Sequence, residues 1–357
     1  MEYEKLYFHY KSTEEKLVNH IDVQRIYSRL IDKKSKQIFT DRIMFSLTDD
    51  WRFIRNLLIK SGNWTQLGEV LSSYKEIYIY GAGIAGSRLP LMFPEYPWKG
   101  YIDKNKKGLI CNGLPIYGIE KCREFLNESA VLISNMSGAD DIKKELLYAN
   151  INDKNIIMYI TYMKNAAKNI YFEDEYLSKE KMVGGVFIDG GAFDGGDTVR
   201  FFDWMNEKKN VGAIAFEADS DNYEITKKNL VGYSQVKIYN QGLSDVSEKK
   251  RFLSGKGEMS NFSSQGDSVV LLNALDNMIG AEQVSYIKMD VEGFEQKALL
   301  GAKRIIEEQF PTLAVSIYHK REDIWKLPEL ILRINPKYKF FLRHYSLGVV
   351  DTVLYAI

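Results

Sequence analysis

The stretch from Val186 to Thr198 constrains this chain more than any other. A short apolar run, Val186 to Ile188, delivers Asp189 into Gly190-Gly191-Ala192-Phe193-Asp194-Gly195-Gly196, and Val199, Phe201, Phe202 and Trp204 follow at helical spacing. That order predicts a buried strand, a tight turn and a helix N-terminus, the arrangement with which α/β proteins cradle a nucleotide-like ligand. Asp189 narrows the choice. A turn shaped for pyrophosphate does not carry a carboxylate at its mouth, because the two charges repel. A ligand with a cationic amino acid end is attracted instead, and S-adenosylmethionine is such a ligand.

The next residues keep to the same pattern. Val211–Phe216 reads as a second strand ending in Glu217, placed to accept both ribose hydroxyls, with a helix over Tyr223–Leu230. Val236–Tyr239 is a third strand, and Gly242, Leu243 and Ser244 in the loop after it would flank an adenine. Ser285–Met289 is a fourth, tipped by Asp290, and Pro311–Ile317 a fifth, leading into Tyr318-His319-Lys320. Tyr338–His344 and Thr352–Ile357 form a closing antiparallel hairpin. Ligands of such sheets sit outside the carboxyl ends of the strands, where this chain concentrates its charged residues. The cofactor contacts expected are Asp189 on the ammonium through the turn or a water, Gly191, Ala192 and Gly195 along the methionine part, Thr198 on its carboxylate and Glu217 on the ribose.

Ile287-Lys288-Met289-Asp290-Val291-Glu292-Gly293-Phe294-Glu295, with Leu299-Leu300-Gly301-Ala302 behind it, resembles the signature of FkbM-family methyltransferases. The resemblance runs from about Val186 to Ile357 and includes Tyr318 to Asp323. It implies a class I methyltransferase sheet and O-methylation, often of sugars in natural products or surface glycans. Ala218 stands where a proline commonly follows the glutamate. Asp290, at the position of a substrate-facing residue, would act with Glu292 and His319. His319 is one of four histidines and would be the general base for the acceptor hydroxyl. Asp290, Glu292 and His319 are also conceivable metal ligands, but no compact metal motif supports this and no metal is expected.

An earlier unit runs from residue 75 to 165. Glu76–Tyr80 predicts a strand that enters Gly81-Ala82-Gly83-Ile84-Ala85-Gly86, with a helix behind it, a second strand at Trp98–Ile102 ending in Asp103, and further strands at Ala130–Ser134 and Ile156–Ile160. Gly81, Gly83, Gly86 and Asp103 are therefore candidates for a second nucleotide site. This unit resembles small Rossmann-like domains of sugar-modifying proteins, some of which hold a nucleotide-sugar. The domains expected are a helical lead-in over 1–74, the Rossmann-like unit over 75–165, a linker over 166–181 and the methyltransferase over 182–357. In the lead-in, Ser12-Thr13-Glu14-Glu15 predicts one helix start, and Thr48 would cap a helix ended by Gly62. The lead-in would pack on the α/β units after it or on a second subunit of a homodimer.

Lys+Arg and Asp+Glu number 48 each, so no basic field draws in nucleic acid. No apolar run reaches the roughly 18–20 residues needed to cross a bilayer. A charged N-terminus and only two cysteines, Cys111 and Cys122, favour the cytoplasm. The preferred expectation is a methyltransferase acting on a sugar hydroxyl of a glycan, nucleotide-sugar or glycosylated small molecule. One rival is an NAD-dependent oxidoreductase built on the first glycine loop, which lacks an evident hydride-transfer set. The other is a non-catalytic scaffold of a glycan pathway, against which the acids at 189, 217 and 290 argue.

Overall fold

In the computed structural model, residues 23–122, 129–172, 175–206, 210–253, 261–262 and 268–357 are described. The expected helix start at Ser12 and the histidines at 9 and 20 lie outside them. Among the described residues four helices come first: α1 (Val23–Arg29), α2 (Lys33–Thr48), α3 (Trp51–Ser61) and α4 (Thr65–Ser72). Asp32 caps α2 by accepting from Ser35 N at 2.7 Å. Asp50, not Thr48, caps α3, accepting from Arg52 N at 3.0 Å. Thr48 instead closes α2, its hydroxyl donating back to Met44 O. Gly62 ends α3 in the left-handed conformation, at φ 80°.

The first sheet contains β1 (Ile77–Tyr80), β2 (Trp98–Ile102), β3 (Ile110–Cys111), β4 (Leu114–Tyr117), β5 (Ala130–Ile133) and β6 (Ile156–Met158). Between them run α5 (Ile84–Met92), α6 (Ile119–Cys122) and α7 (Ala139–Tyr148), and α8 (Tyr159–Ala166) comes after β6. The order is β3-β4-β2-β1-β5-β6, parallel except for the β3–β4 pair. The strand expected to reach Ile160 stops at Met158, and Ile160 belongs to α8.

The second sheet is organised around β7 (Val186–Gly190), followed by α9 (Gly196–Met205), β8 (Gly212–Phe216), α10 (Ser220–Asn229) and β9 (Val236–Tyr239). Next comes a small four-stranded sheet that the sequence pattern does not announce. It contains β10 (Gly242–Leu243), β11 (Glu248–Leu253), β12 (Asn261–Phe262) and β13 (Ser268–Asn273). The chain then forms α11 (Leu275–Met278), β14 (Val284–Met289), α12 (Glu295–Gly301), α13 (Lys303–Gln309) and β15 (Thr312–Ser316). It ends with α14 (Asp323–Ile334), β16 (Phe340–His344) and β17 (Thr352–Ala356). The main sheet runs β16-β17-β15-β14-β7-β8-β9, with β17 antiparallel to both neighbours. Strand order reverses at β7, so the crevice at its carboxyl end is a topological switch point, the usual place for a ligand.

Within residues 166–181, expected as a linker, four side chains enter the core. Ile170, Tyr171, Phe172 and Leu177 are buried with Phe187, Phe201 and Tyr286, and Phe187 stacks on Phe201 at 4.4 Å between centroids. The helical lead-in covers the edge of the second sheet. Along β16, Phe340 O accepts from Ile31 N at 2.9 Å, Leu342 N donates to Ser35 Oγ at 2.8 Å, and His344 O accepts from Asn63 Nδ2 at 2.7 Å. An edge strand otherwise presents these groups to any other chain. Among the described residues no helix is long and apolar enough to cross a membrane.

Candidate active site

The turn after β7 is held by its own backbone. Gly191 N and Ala192 N both donate to Phe216 O at 3.0 Å, and Gly195 N donates to Ala192 O at 2.7 Å. Phe193 N, at φ 53°, donates to Glu217 Oε2 at 2.7 Å. These donors are spent inside the protein, so they do not form a cradle for phosphate. Gly191 has φ 78°, and a Cβ there would lie 1.8 Å from Asp290 O. Glycine is required at that position for the turn to pass under the end of β14.

Asp189 does not reach the ligand space. It is fully buried; one oxygen accepts from Thr198 Oγ1 at 2.7 Å and the other lies 3.0 Å from Lys288 Nζ. Thr198 is consumed by that bond and is likewise buried, so it does not face the cavity as expected, while Asp189 lies behind the turn, tied to it through Lys288. Lys288, on β14, also donates to Gly191 O at 2.6 Å and lies 3.1 Å from Asp197 Oδ2. Burial disfavours a charged lysine, yet Asp189, Asp197 and Asp290 outweigh it and hold the ammonium charged. Burial lifts the carboxyl of Asp189, with Lys288 opposing. The acid that seemed to await a cationic ligand therefore already has one inside the fold.

A cavity of about 690 Å³ opens over the carboxyl ends of β7, β8 and β14. Gly191, Ala192, Glu217, Gly242, Leu243, Asp290 and Glu292 line it, whereas Gly195 and Ser244 do not. Gly195 is pressed toward Leu230, and Ser244 is fully buried with its hydroxyl on Asp245. Glu217 lies at the tip of β8, its oxygens accepting from Phe193 N and, at 2.8 Å, from Asp219 N. Each oxygen keeps a further lone pair for a ligand hydroxyl. Burial lifts its carboxyl to about 7, although those two backbone bonds and Lys288 pull the other way.

The other end of the cavity is polar. Asp290 Oδ2 accepts from Tyr171 OH at 2.6 Å, and Tyr318 OH donates to Oδ1 at 3.3 Å. Glu292 (φ 52°) and Gly293 (φ 86°) form a left-handed pair just beyond Asp290. His319 Nε2 stands 3.4 Å from Asp290 Oδ1 and 3.5 Å from Glu292 Oε2, while Nδ1 is 2.9 Å from Glu295 Oε1. Burial disfavours the charged ring, but Glu295, Asp290 and Glu292 prevail and raise His319 to about 9. With no ligand bound, the expected base thus carries its proton at neutral pH.

Three contributors are not legible in the sequence. Tyr171, from the supposed linker, orients Asp290. Lys288, given no role by the sequence, pairs with Asp189 and Asp197 beneath the turn. The helix α8 and the residues around it supply Ile160, Met163 and Lys164 to the cavity wall, with Met136 beside them. The Lys-x-Asp spacing does carry a signal for Lys288. On a strand, residues two apart share a face, so Lys288 and Asp290 belong to the same charged end.

The first glycine loop borders a separate hollow of about 280 Å³. Gly81 (φ 99°) and Gly86 are fixed by packing, since a Cβ on Gly86 would meet Gly81 O at 2.0 Å. Gly83 faces open space. Asp103, expected on a ribose, accepts instead from Ala82 N at 3.0 Å and from Asn105 N at 2.9 Å, so it braces the loop.

The sheet order and the charged strand ends define a methyltransferase architecture, and the comparisons agree. Residues 189–342 match the family model described as the Methyltransferase FkbM domain. That match lies within the second α/β unit and supports a methyltransferase domain there. The crystal structure of methyltransferase FkbM from Methylobacillus flagellatus KT is similar in fold, with TM-score 0.50 and 18% identity over 87% of this chain and 100% of that one. Aeropyrum pernix fibrillarin, in complex with natively bound S-adenosyl-L-methionine, gives TM-score 0.33 and 9% identity over 50% of this chain and 68% of its own. The SAH-bound Podospora anserina methyltransferase PaMTH1 gives 0.29 and 11% over 61% and 87%. No curated protein sequence matches the chain.

Proposed function

We propose that this methyltransferase binds S-adenosylmethionine along the ends of β7, β8 and β10, and methylates a sugar hydroxyl presented at the Asp290 end. The observation that carries the reading is Glu217: a carboxylate at the second strand tip, pinned by two backbone donors and edging the cavity. It suits a ribose diol. Phe216, Ala218 and Leu243 supply apolar surface beside it for an adenine. When bound, S-adenosylmethionine supplies a methyl group on a sulfonium, which a hydroxyl oxygen attacks in line. The chain's part is to hold that hydroxyl and take up its proton, so positioning dominates. Tyr171 and Tyr318 fix Asp290 to orient the acceptor, and Glu292, the more exposed carboxylate, receives the proton.

A polyhydroxylated acceptor fits an end lined by two phenols, Tyr171 and Tyr318, and two carboxylates, Asp290 and Glu292. Met136 lines both this cavity and the hollow at the first glycine loop, which favours an acceptor with a nucleotide or phosphate end resting on the first, Rossmann-like sheet. Titration calorimetry with S-adenosylhomocysteine tests the cofactor end. Tight binding is expected, weakened more than about tenfold by Glu217→Ala, equivalent to some 1.4 kcal/mol. An unchanged affinity in the variant, or binding of NAD in place of either adenosyl ligand, overturns the assignment.

A further inference from the structure

Asp290, Glu292 and His319 offer three ligand atoms within 4.8 Å of one another at the acceptor end of the cavity. We infer that they form a binding site for a divalent transition-metal cation, with Mn2+ as its most suitable probe.

The separations are the first argument. At 3.4 and 3.5 Å, His319 Nε2 is too far from Asp290 and Glu292 for a good direct hydrogen bond, and among its neighbours it makes none although it is buried. Two ligands sharing a cation at about 2.1 Å stand roughly 3.0–3.5 Å apart in octahedral or tetrahedral geometry, which matches both distances from His319 Nε2. The surrounding groups are the second argument. Glu295, 1% exposed, faces His319 Nδ1 at 2.9 Å, which fixes the ring with Nε2 toward the two carboxylates, where a cation would take the place of the Nε2 proton. Glu295 is itself held by Val291 N at 3.0 Å. Tyr171 and Tyr318 hold Asp290 from behind. Hydrogen-bonded carboxylates and a carboxylate-backed imidazole are the usual outer partners of metal ligands. The third argument is access: Asp290 and Glu292 line the cavity, so the cation's remaining positions face the acceptor.

Two carboxylates and one imidazole suit manganese, iron or cobalt in the divalent state better than calcium, which takes oxygen alone. The cation would fix an acceptor oxygen in the cavity. That last role rests on the proposed function, whereas the binding site does not.

The test uses the full-length protein, stripped with a chelator and titrated with MnCl2 in a calorimeter, with the spin-resonance signal of free Mn2+ followed in parallel. One site per chain is expected. Glu292→Gln and His319→Ala should each weaken it by about 10–100-fold. The same variants are titrated with S-adenosylhomocysteine to show that they are folded. No saturable Mn2+ binding up to millimolar concentration, or equal affinity in the wild type and in variants that still bind S-adenosylhomocysteine, overturns the site. Stoichiometric Mn2+ binding lost in the variants upholds it, even if the adenosyl ligand does not bind; that failure would fall on the proposed cofactor alone.

Discussion

Glu217 shows how much of this site is a compromise within a single residue. Its carboxyl is raised by burial to about 7, so folding favours the protonated form while a ribose diol needs the ionised one. An acid raised in the folded state contributes most to stability below its unfolded value, near 4.5, and the contribution is lost as pH climbs to about 7. Above that the loss amounts to about 3 kcal/mol. Glu217→Gln should therefore raise the melting temperature at pH 8 but hardly at pH 4.5, while weakening S-adenosylhomocysteine; scanning calorimetry at the two pH values checks it. Affinity of the wild type for that ligand should fall as pH drops below 7. Lys288 poses the opposite problem. It neutralises Asp189 where water cannot and shares Asp197 with Arg200, so Lys288→Met strands the buried Asp189 and should cost about 3–5 kcal/mol by urea unfolding. A loss under 1 kcal/mol would mean that the pairing is not needed.

At the scale of elements, the sequence was most informative where a strand is buried on both faces. β7, β8 and β14 announce themselves as apolar runs ended by Asp189-Gly190, Glu217 and Asp290, and their order follows from the fold class. What a charged group at a strand tip faces was not legible. Asp189 looked like a ligand contact because its partner, Lys288, is 99 residues away and no local pattern joins them. The small sheet of β10 to β13 was missed because β10 has only two residues and β11, Glu248–Leu253, begins with a charged run. Nor could the sequence show what shields β16. Arg343, buried on that strand, lies 3.2 Å from Asp32 and 2.8 Å from Glu175. Asp32→Ala removes both the cap of α2 and one partner of a buried guanidinium. The expected loss is about 2–3 kcal/mol in urea titrations, with binding of S-adenosylhomocysteine retained because Asp32 is not part of the cavity wall.

For the whole molecule, two parallel sheets suggest two folding units, but the packing argues for one. Ile77 and Leu132 of the first sheet share a continuous core with Ile287 and Leu313 of the second. The seam between them is also polar, Tyr159 OH donating to Leu347 O at 2.7 Å, and the lead-in is tied to the second unit by the buried Arg42, which donates to Val349 O at 2.7 Å. Ile160 and Met163 wall the cavity whose floor is β7 and β14. If either sheet melted alone it would expose that core and open the cavity. Scanning calorimetry should therefore show a single transition, with calorimetric and van't Hoff enthalpies agreeing at about 250 kcal/mol. S-adenosylhomocysteine at a hundred times its dissociation constant should raise the whole transition by about 3–4 °C. Two resolved peaks, with only the second moved by the ligand, would make the first sheet an independent unit. In that case the contribution of α8 and Met136 to the acceptor end would be incidental, since the cavity would keep its cofactor with the first sheet unfolded.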